Sequence, residues 1–179
     1  HSFLKGGEFL EFVKSRSRED VKPLSQTVQK FITESVRFKT SIVAIDEKET
    51  GLRAILNLGH TTAHAIESVT NYKKYSHGEA VSIGLVTSLF LSKRKLGLPD
   101  QSLRDGIHLL QRYELPLTTK ISPKTLISHM QHDKKTEGNR LKFVLLKNFG
   151  KPEFGVEISR EEITIALREK PDKWMSHNA

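Results

Sequence analysis

Apolar positions recur at helical spacing along most of the chain and switch to strand-like spacing only near its C-terminal end. A short helix is expected over Glu8–Lys14, followed by a polar, charged stretch from Ser15 to Lys22 that stops at Pro23. From Leu24 a long helical pattern runs to about Ile45, with Val28, Phe31, Ile32, Val36, Ile42 and Val43 on one side. The charged loop Asp46-Glu47-Lys48-Glu49-Thr50-Gly51 separates it from a second helix, read from about Leu52 to Val69. After the polar loop Asn71–Ser76, a third helix starts near His77 and continues through Leu85, Leu89, Phe90 and Leu91 to Leu96, where Gly97 and Pro99 stop it. Gln101–Tyr113 reads as another helix, ended by Leu115-Pro116, and Pro123 opens a short one over Lys124–Met130.

The pattern then changes. Leu141-Lys142-Phe143-Val144-Leu145-Leu146 reads as a buried strand, and Glu153–Ile158 alternates as a half-buried one. Asn148–Pro152 joins them as a hairpin-like loop. Ser159 with Glu162 three residues on forms a capping box for a last helix to about Lys170. The fold class is therefore mainly α with one small β-hairpin. Residues 1–170 form one domain and residues 171–179 a loose tail.

Composition adds limits. A length of 179 residues suits one domain with a sizeable core. No apolar run approaches the roughly 18 residues a membrane span needs, and the N-terminal residues lack a signal-peptide core. The chain has no cysteine, which excludes disulfides and thiolate chemistry and fits a cytoplasmic protein. It starts at His1 rather than Met, as a piece of a longer polypeptide does. The 29 Lys+Arg against 21 Asp+Glu give a formal charge of +8, which raises nucleic acid as a partner. The cations are spread along the chain, aromatics are only 7%, and no DNA- or RNA-binding signature appears. A solvated basic surface, or a basic pocket for a small anion, accounts for the charge better.

Five positions carry the candidate chemistry of the first two long helices. Lys39 falls in the middle of the stripe made by Val28, Ile32, Val36 and Val43, where a lysine either snorkels or enters a cleft. In the second helix Arg53, Asn57, His60 and His64 are spaced i, i+4, i+7 and i+11, along one line of a continuous helix. A cation, an amide and two imidazoles suit anion binding, metal ligation or proton transfer, and equally an ordinary polar face. His77, at the start of the third helix, is brought back toward one of these histidines if the two helices run antiparallel. Two imidazoles from neighbouring helices leave room for a carboxylate and a substrate oxygen, the open arrangement of a catalytic Zn²⁺ site.

The segments Lys39, Asp46–Arg53, Leu56-Asn57-Leu58-Gly59-His60-Thr61-Thr62-Ala63-His64-Ala65-Ile66-Glu67 and His77-Gly78-Glu79-Ala80-Val81 resemble the core of the 3-dehydroquinate synthase family. The later Asp133-Lys134-Lys135, Leu141–Leu146 and Gly150 fit the same family's C-terminal pattern, in the right order over about residues 7–170. The resemblance implies conversion of 3-deoxy-arabino-heptulosonate 7-phosphate to 3-dehydroquinate and phosphate in the shikimate pathway. It also implies a divalent metal, zinc or cobalt, and an NAD that is reduced and reoxidised within each turnover. His60 and His77 then match two of three metal ligands. His64 and Glu49 match proton acceptors. Lys39, Arg53 and Asn57 match substrate-binding positions, and one of Lys134 and Lys135 matches a phosphate contact.

The departures are equally informative. The family's third metal ligand is a glutamate in an Ala-Glu-x-x-Lys pattern that this chain lacks, and Ala63 stands where many members have glycine. The N-terminal NAD-binding domain is absent as well, so no cofactor-binding residue is expected within this chain. The expectation is a C-terminal metal- and substrate-binding domain. Its partners would be an anionic sugar phosphate, the missing N-terminal domain and, as is common in the family, a second subunit. Valiolone- or inosose-forming cyclases are the nearest alternatives, and a non-catalytic basic helical module is the alternative of a different class.

Overall fold

The computed structural model describes residues 1–48, 51–132 and 140–175. Among the described residues, eight α-helices and one hairpin follow in chain order: α1 (Ser2–Lys5), α2 (Gly7–Lys14), α3 (Gln26–Ile45), α4 (His60–Val69), α5 (His77–Leu96), α6 (Asp100–Arg112), α7 (Pro123–His132), β1 (Arg140–Asn148), β2 (Lys151–Ser159) and α8 (Arg160–Arg168). Short 3₁₀ turns cover Arg18–Asp20, Leu52–Asn57 and Pro171–Trp174. Among the described residues no helix is long and apolar enough to cross a membrane.

The core is built around α5. This helix is buried on most of its circumference, through Ala80, Ile83, Val86, Leu89, Phe90 and Leu91, and it packs against α4, α6, α8 and β1. Its ends are set locally. Ser76 and Glu79 form a capping box at the start, and Gly97 closes the helix in the left-handed region at φ +72°. β1 lies against it with Leu141, Phe143, Val144, Leu145 and Leu146 all buried and only Lys142 of that run exposed. β2 pairs antiparallel with β1 and buries only Ile158, leaving Phe154 47% exposed. The predicted Ser159/Glu162 capping box is present at the start of α8.

Ser92 joins the two halves of this core. Its fully buried hydroxyl donates to the Ser88 carbonyl at 2.6 Å and accepts the Leu146 N–H at 2.9 Å. Alanine at this position strands a buried strand N–H, a loss of about 1–3 kcal/mol. Urea denaturation of Ser92→Ala should therefore show a lower midpoint with an unchanged slope. An unchanged midpoint would show that the Leu146 N–H finds another acceptor.

Four sequence expectations need correction. Leu52–Val69 is not one helix: Leu58 (ψ 123°) and Gly59 (φ +81°) turn a corner between the 3₁₀ segment Leu52–Asn57 and α4. Along α3 the covered side runs through half-buried Phe31 and Phe38 and buried Ile42, whereas Ile32 and Val36 are 58% and 53% exposed. Phe31 packs edge-on against Phe12, and Phe38 lies near His1, so aromatic contacts orient α3. The N-terminal residues form a short helix, α1, that was not expected. Pro171–Trp174 is not a loose tail: Pro171 is buried and the Trp174 ring sits 6.4 Å from that of Phe90.

Candidate functional site

The corner at Leu58-Gly59 changes how the site is assembled. Residues in a 3₁₀ turn repeat every three positions rather than every 3.6, so Arg53 and Asn57 do not stack above His60 and His64 on one helical line. The fold brings them together by another route. The buried Asp46 carboxylate accepts the Gly51 and Arg53 backbone N–H groups at 2.8 and 2.9 Å, fixing the start of the 3₁₀ turn beside the end of α3. The Arg53 guanidinium donates to the Glu47 carbonyl at 3.1 Å. Lys39, Arg53, Leu56, Asn57, His60 and His1 then line one polar pocket of about 220 Å³. Lys39 is exposed at its edge, so its position within the α3 pattern marks a cleft rather than the core.

His60 is also where the imidazoles meet. The His60 ring centroid is 5.6 Å from that of His64 and 5.4 Å from that of His77. The antiparallel α4–α5 pair thus returns His77 to His60, as the sequence spacing anticipated. Each of these two rings has its Nδ1 committed to an oxygen. His60 Nδ1 lies 3.2 Å from the Leu58 carbonyl, and His77 Nδ1 lies 2.9 Å from Glu67 Oε1. A carbonyl or carboxylate oxygen can only accept, so Nδ1 carries the proton and Nε2 presents the lone pair. That is the tautomer a metal-ligating histidine needs. Burial holds the His60 imidazole below its ordinary pKa, against the raising effect of the Leu58 hydrogen bond, and keeps it in the neutral, ligating form.

These features fit a divalent metal at His60 and His77 as two of its ligands. Among the described residues no set of three or more His, Cys, Asp or Glu is arranged to hold one. Glu49, Lys134 and Lys135, the remaining residues singled out from the sequence, lie outside the described residues. Glu67 was missed as a functional residue. The signal was available: a glutamate three residues after His64, on the side of α4 that carries Ala63 and Ile66, is buried with no apolar reason to be there.

A second, larger cavity of about 480 Å³ adjoins the site. It is walled mainly by apolar side chains, among them Phe3, Leu4, Phe31, Leu56, Leu110 and Tyr113, with His60 and His77 at one edge.

The fold of this helical domain is found in solved sugar-phosphate cyclases. 2-Epi-5-epi-valiolone synthase from Streptomyces hygroscopicus, solved with NAD+ and Zn2+, superposes with a TM-score of 0.80 at 18% identity, over 92% of this chain and 46% of that one. 2-Deoxy-scyllo-inosose synthase, solved with carbaglucose-6-phosphate, NAD+ and Co2+, gives a TM-score of 0.71 at 24% identity, over 87% and 45%. At these identities the likeness is one of fold.

Sequence narrows the class. The family described as 3-dehydroquinate synthase C-terminal matches residues 1–136, and the chain belongs to that family. The 3-dehydroquinate synthase of Leptospira interrogans is 54% identical over 170 residues, which cover 95% of this chain and 47% of the relative. That of Methylacidiphilum infernorum is 43% identical over 140 residues, or 77% and 39%. The chain thus spans about half the length of the curated relatives it matches.

Proposed function

We propose that this chain is the metal- and substrate-binding half of a 3-dehydroquinate synthase, which converts 3-deoxy-arabino-heptulosonate 7-phosphate to 3-dehydroquinate and phosphate in the shikimate pathway. The observation that carries the reading is the convergence on His60 of a pocket edged by Lys39, Arg53 and Asn57 and of a second oriented imidazole. The substrate carries a carboxylate and a phosphate. A lysine and an arginine beside an amide donor are the partners such a doubly anionic molecule requires. The 54% identity to a 3-dehydroquinate synthase, against 18% and 24% to the valiolone- and inosose-forming enzymes, favours this activity over the other cyclases.

In this reading Lys39 and Arg53 bind the anionic ends of the substrate and Asn57 orients its hydroxyls. His64, exposed beside His60, accepts a proton from the substrate. Glu49 is assigned as a second proton acceptor and one of Lys134 and Lys135 as a phosphate contact, on the resemblance alone. His60 and His77 hold a zinc or cobalt ion, which when bound supplies Lewis-acid polarisation of a substrate hydroxyl. The NAD and the third metal ligand belong to a preceding domain. The whole enzyme acts in the cytoplasm, as a dimer.

The test compares the full-length polypeptide with the 179-residue chain. With NAD and zinc, the full-length protein should release phosphate from the heptulosonate substrate. The chain alone should show no turnover and only weak metal binding. Steady-state turnover by the chain alone would overturn the reading of it as half of a site. Salt-dependent affinity for random duplex DNA would instead support a basic binding module.

A further inference from the structure

Two glycines meet where α4 begins. Gly59, at φ +81°, lies directly against the backbone of α5 at Gly84. A Cβ on Gly84 would fall 2.0 Å from the Gly59 carbonyl oxygen and 2.9 Å from its carbon. A Cβ on Gly59 would fall 2.9 Å from the Leu85 nitrogen and 3.1 Å from the Gly84 carbon. Every one of these neighbours is backbone, so neither helix can yield by moving a side chain. The pair therefore permits a closer approach of the α4 corner to α5 than any other residues allow.

That approach bears on the candidate metal site through chain connectivity. His60 follows Gly59 directly. His77 precedes Gly84 by seven residues, about two helical turns, and so lies on nearly the same line of α5. Both imidazoles are thus carried on backbone whose separation the glycine contact defines, and their ring centroids are 5.4 Å apart. The Leu58 carbonyl that holds His60 Nδ1 belongs to the same corner.

We infer that the Gly59–Gly84 contact is a positioning device that sets the separation of the His60 and His77 rings, and with it the geometry in which they are offered to a divalent metal. The inference rests on the reading of those two histidines as ligands. A side chain at either glycine pushes the α4 corner away from α5 and carries His60 away from His77. The hydrogen bond that ties α5 to β1 is made by Ser92, about two turns beyond Gly84.

The test uses Co²⁺ binding to the full-length polypeptide, followed by titration and by the visible absorption of the bound ion. Gly59→Ala and Gly84→Ala are compared with Gly106→Ala. At Gly106 the new Cβ meets Leu89 Cδ1 at 2.7 Å, a core contact made by a side chain. The two site variants should bind Co²⁺ about 10–100-fold more weakly, the range found when groups supporting a metal ligand are disturbed, and with an altered absorption band. Gly106→Ala should lower the melting temperature while leaving affinity and spectrum unchanged. Unaltered Co²⁺ binding by Gly59→Ala or Gly84→Ala would overturn the inference, as would an equal loss in Gly106→Ala. Failure of Gly59→Ala, the milder clash, to fold would also overturn it, because the contact would then hold the domain together rather than set a distance. His60→Ala and His77→Ala distinguish the two levels. If Co²⁺ binding is indifferent to both, the ligand reading fails. If it depends on them and the glycine variants are silent, only the positioning role fails.

Discussion

Replacing either His60 or His77 by alanine in the full-length polypeptide is expected to abolish stoichiometric metal binding and to lower kcat by at least about 10³-fold, since Lewis-acid stabilisation contributes several kcal/mol and each 1.36 kcal/mol is tenfold. The two substitutions should have the same effect because the rings are equivalent in kind. Each is held by an oxygen at Nδ1 and each offers Nε2, and their centroids are 5.4 Å apart. His64→Ala is the informative contrast. Its ring neighbours His60 at 5.6 Å, yet its assigned role is proton transfer. It should retain stoichiometric metal and lose about 10²–10⁴-fold in rate, the typical contribution of general acid–base catalysis. Metal content by elemental analysis and single-turnover rates separate the two classes. A His77→Ala protein that keeps one equivalent of tightly bound metal would remove His77 from the ligand set.

The helical fold was legible wherever one element could satisfy itself. The third helix was read as starting near His77 and running to Leu96, the limits the structure gives, because its closing Gly97 is a local signal. The buried strand was legible because a run of five apolar residues at Leu141–Leu146, interrupted only by Lys142, admits few alternatives. What failed were features that depend on a distant neighbour. The helical pattern from Leu52 to Val69 continues smoothly through Leu58-Gly59. The break there follows from the approach of α5, seen only in three dimensions. On α3, Ile32 and Val36 obey helical spacing but face away from the core, because Phe31 and Phe38 turn the helix toward Phe12 and His1. The site shows the same division. Arg53, Asn57, His60 and His64 were read along one helical line, with Lys39 apart on the preceding helix; Lys39, Arg53, Asn57 and His60 do line one pocket, although that straight line does not exist. Periodicity alone misdescribed the route by which these positions reach one pocket.

Removing the Glu67 carboxylate is expected to weaken metal binding by about 10–100-fold without touching a ligand, the usual consequence of losing the partner that orients a ligating histidine. Glu67 is 5% exposed on α4 and its Oε1 accepts from His77 Nδ1 at 2.9 Å across the helix pair. In Glu67→Ala the His77 ring, itself 59% exposed, loses the acceptor that fixes both its rotamer and its tautomer. Either nitrogen can then carry the proton, and part of the population presents N–H where the lone pair is needed. Glu67→Gln should fall between wild type and alanine. Its amide oxygen can accept from Nδ1–H, but its NH₂ can equally donate to Nδ1 and stabilise the wrong tautomer. The expected order of Co²⁺ affinity is wild type, then Gln, then Ala, measured by competition with a chelator of known affinity. Stability should not follow that order. A buried carboxylate carries a desolvation cost, and replacing it need not lower the melting temperature of the metal-free protein. A Glu67→Ala protein whose metal affinity stays within about twofold of wild type, a change too small for a lost orienting partner, would show that His77 is positioned by α5 alone.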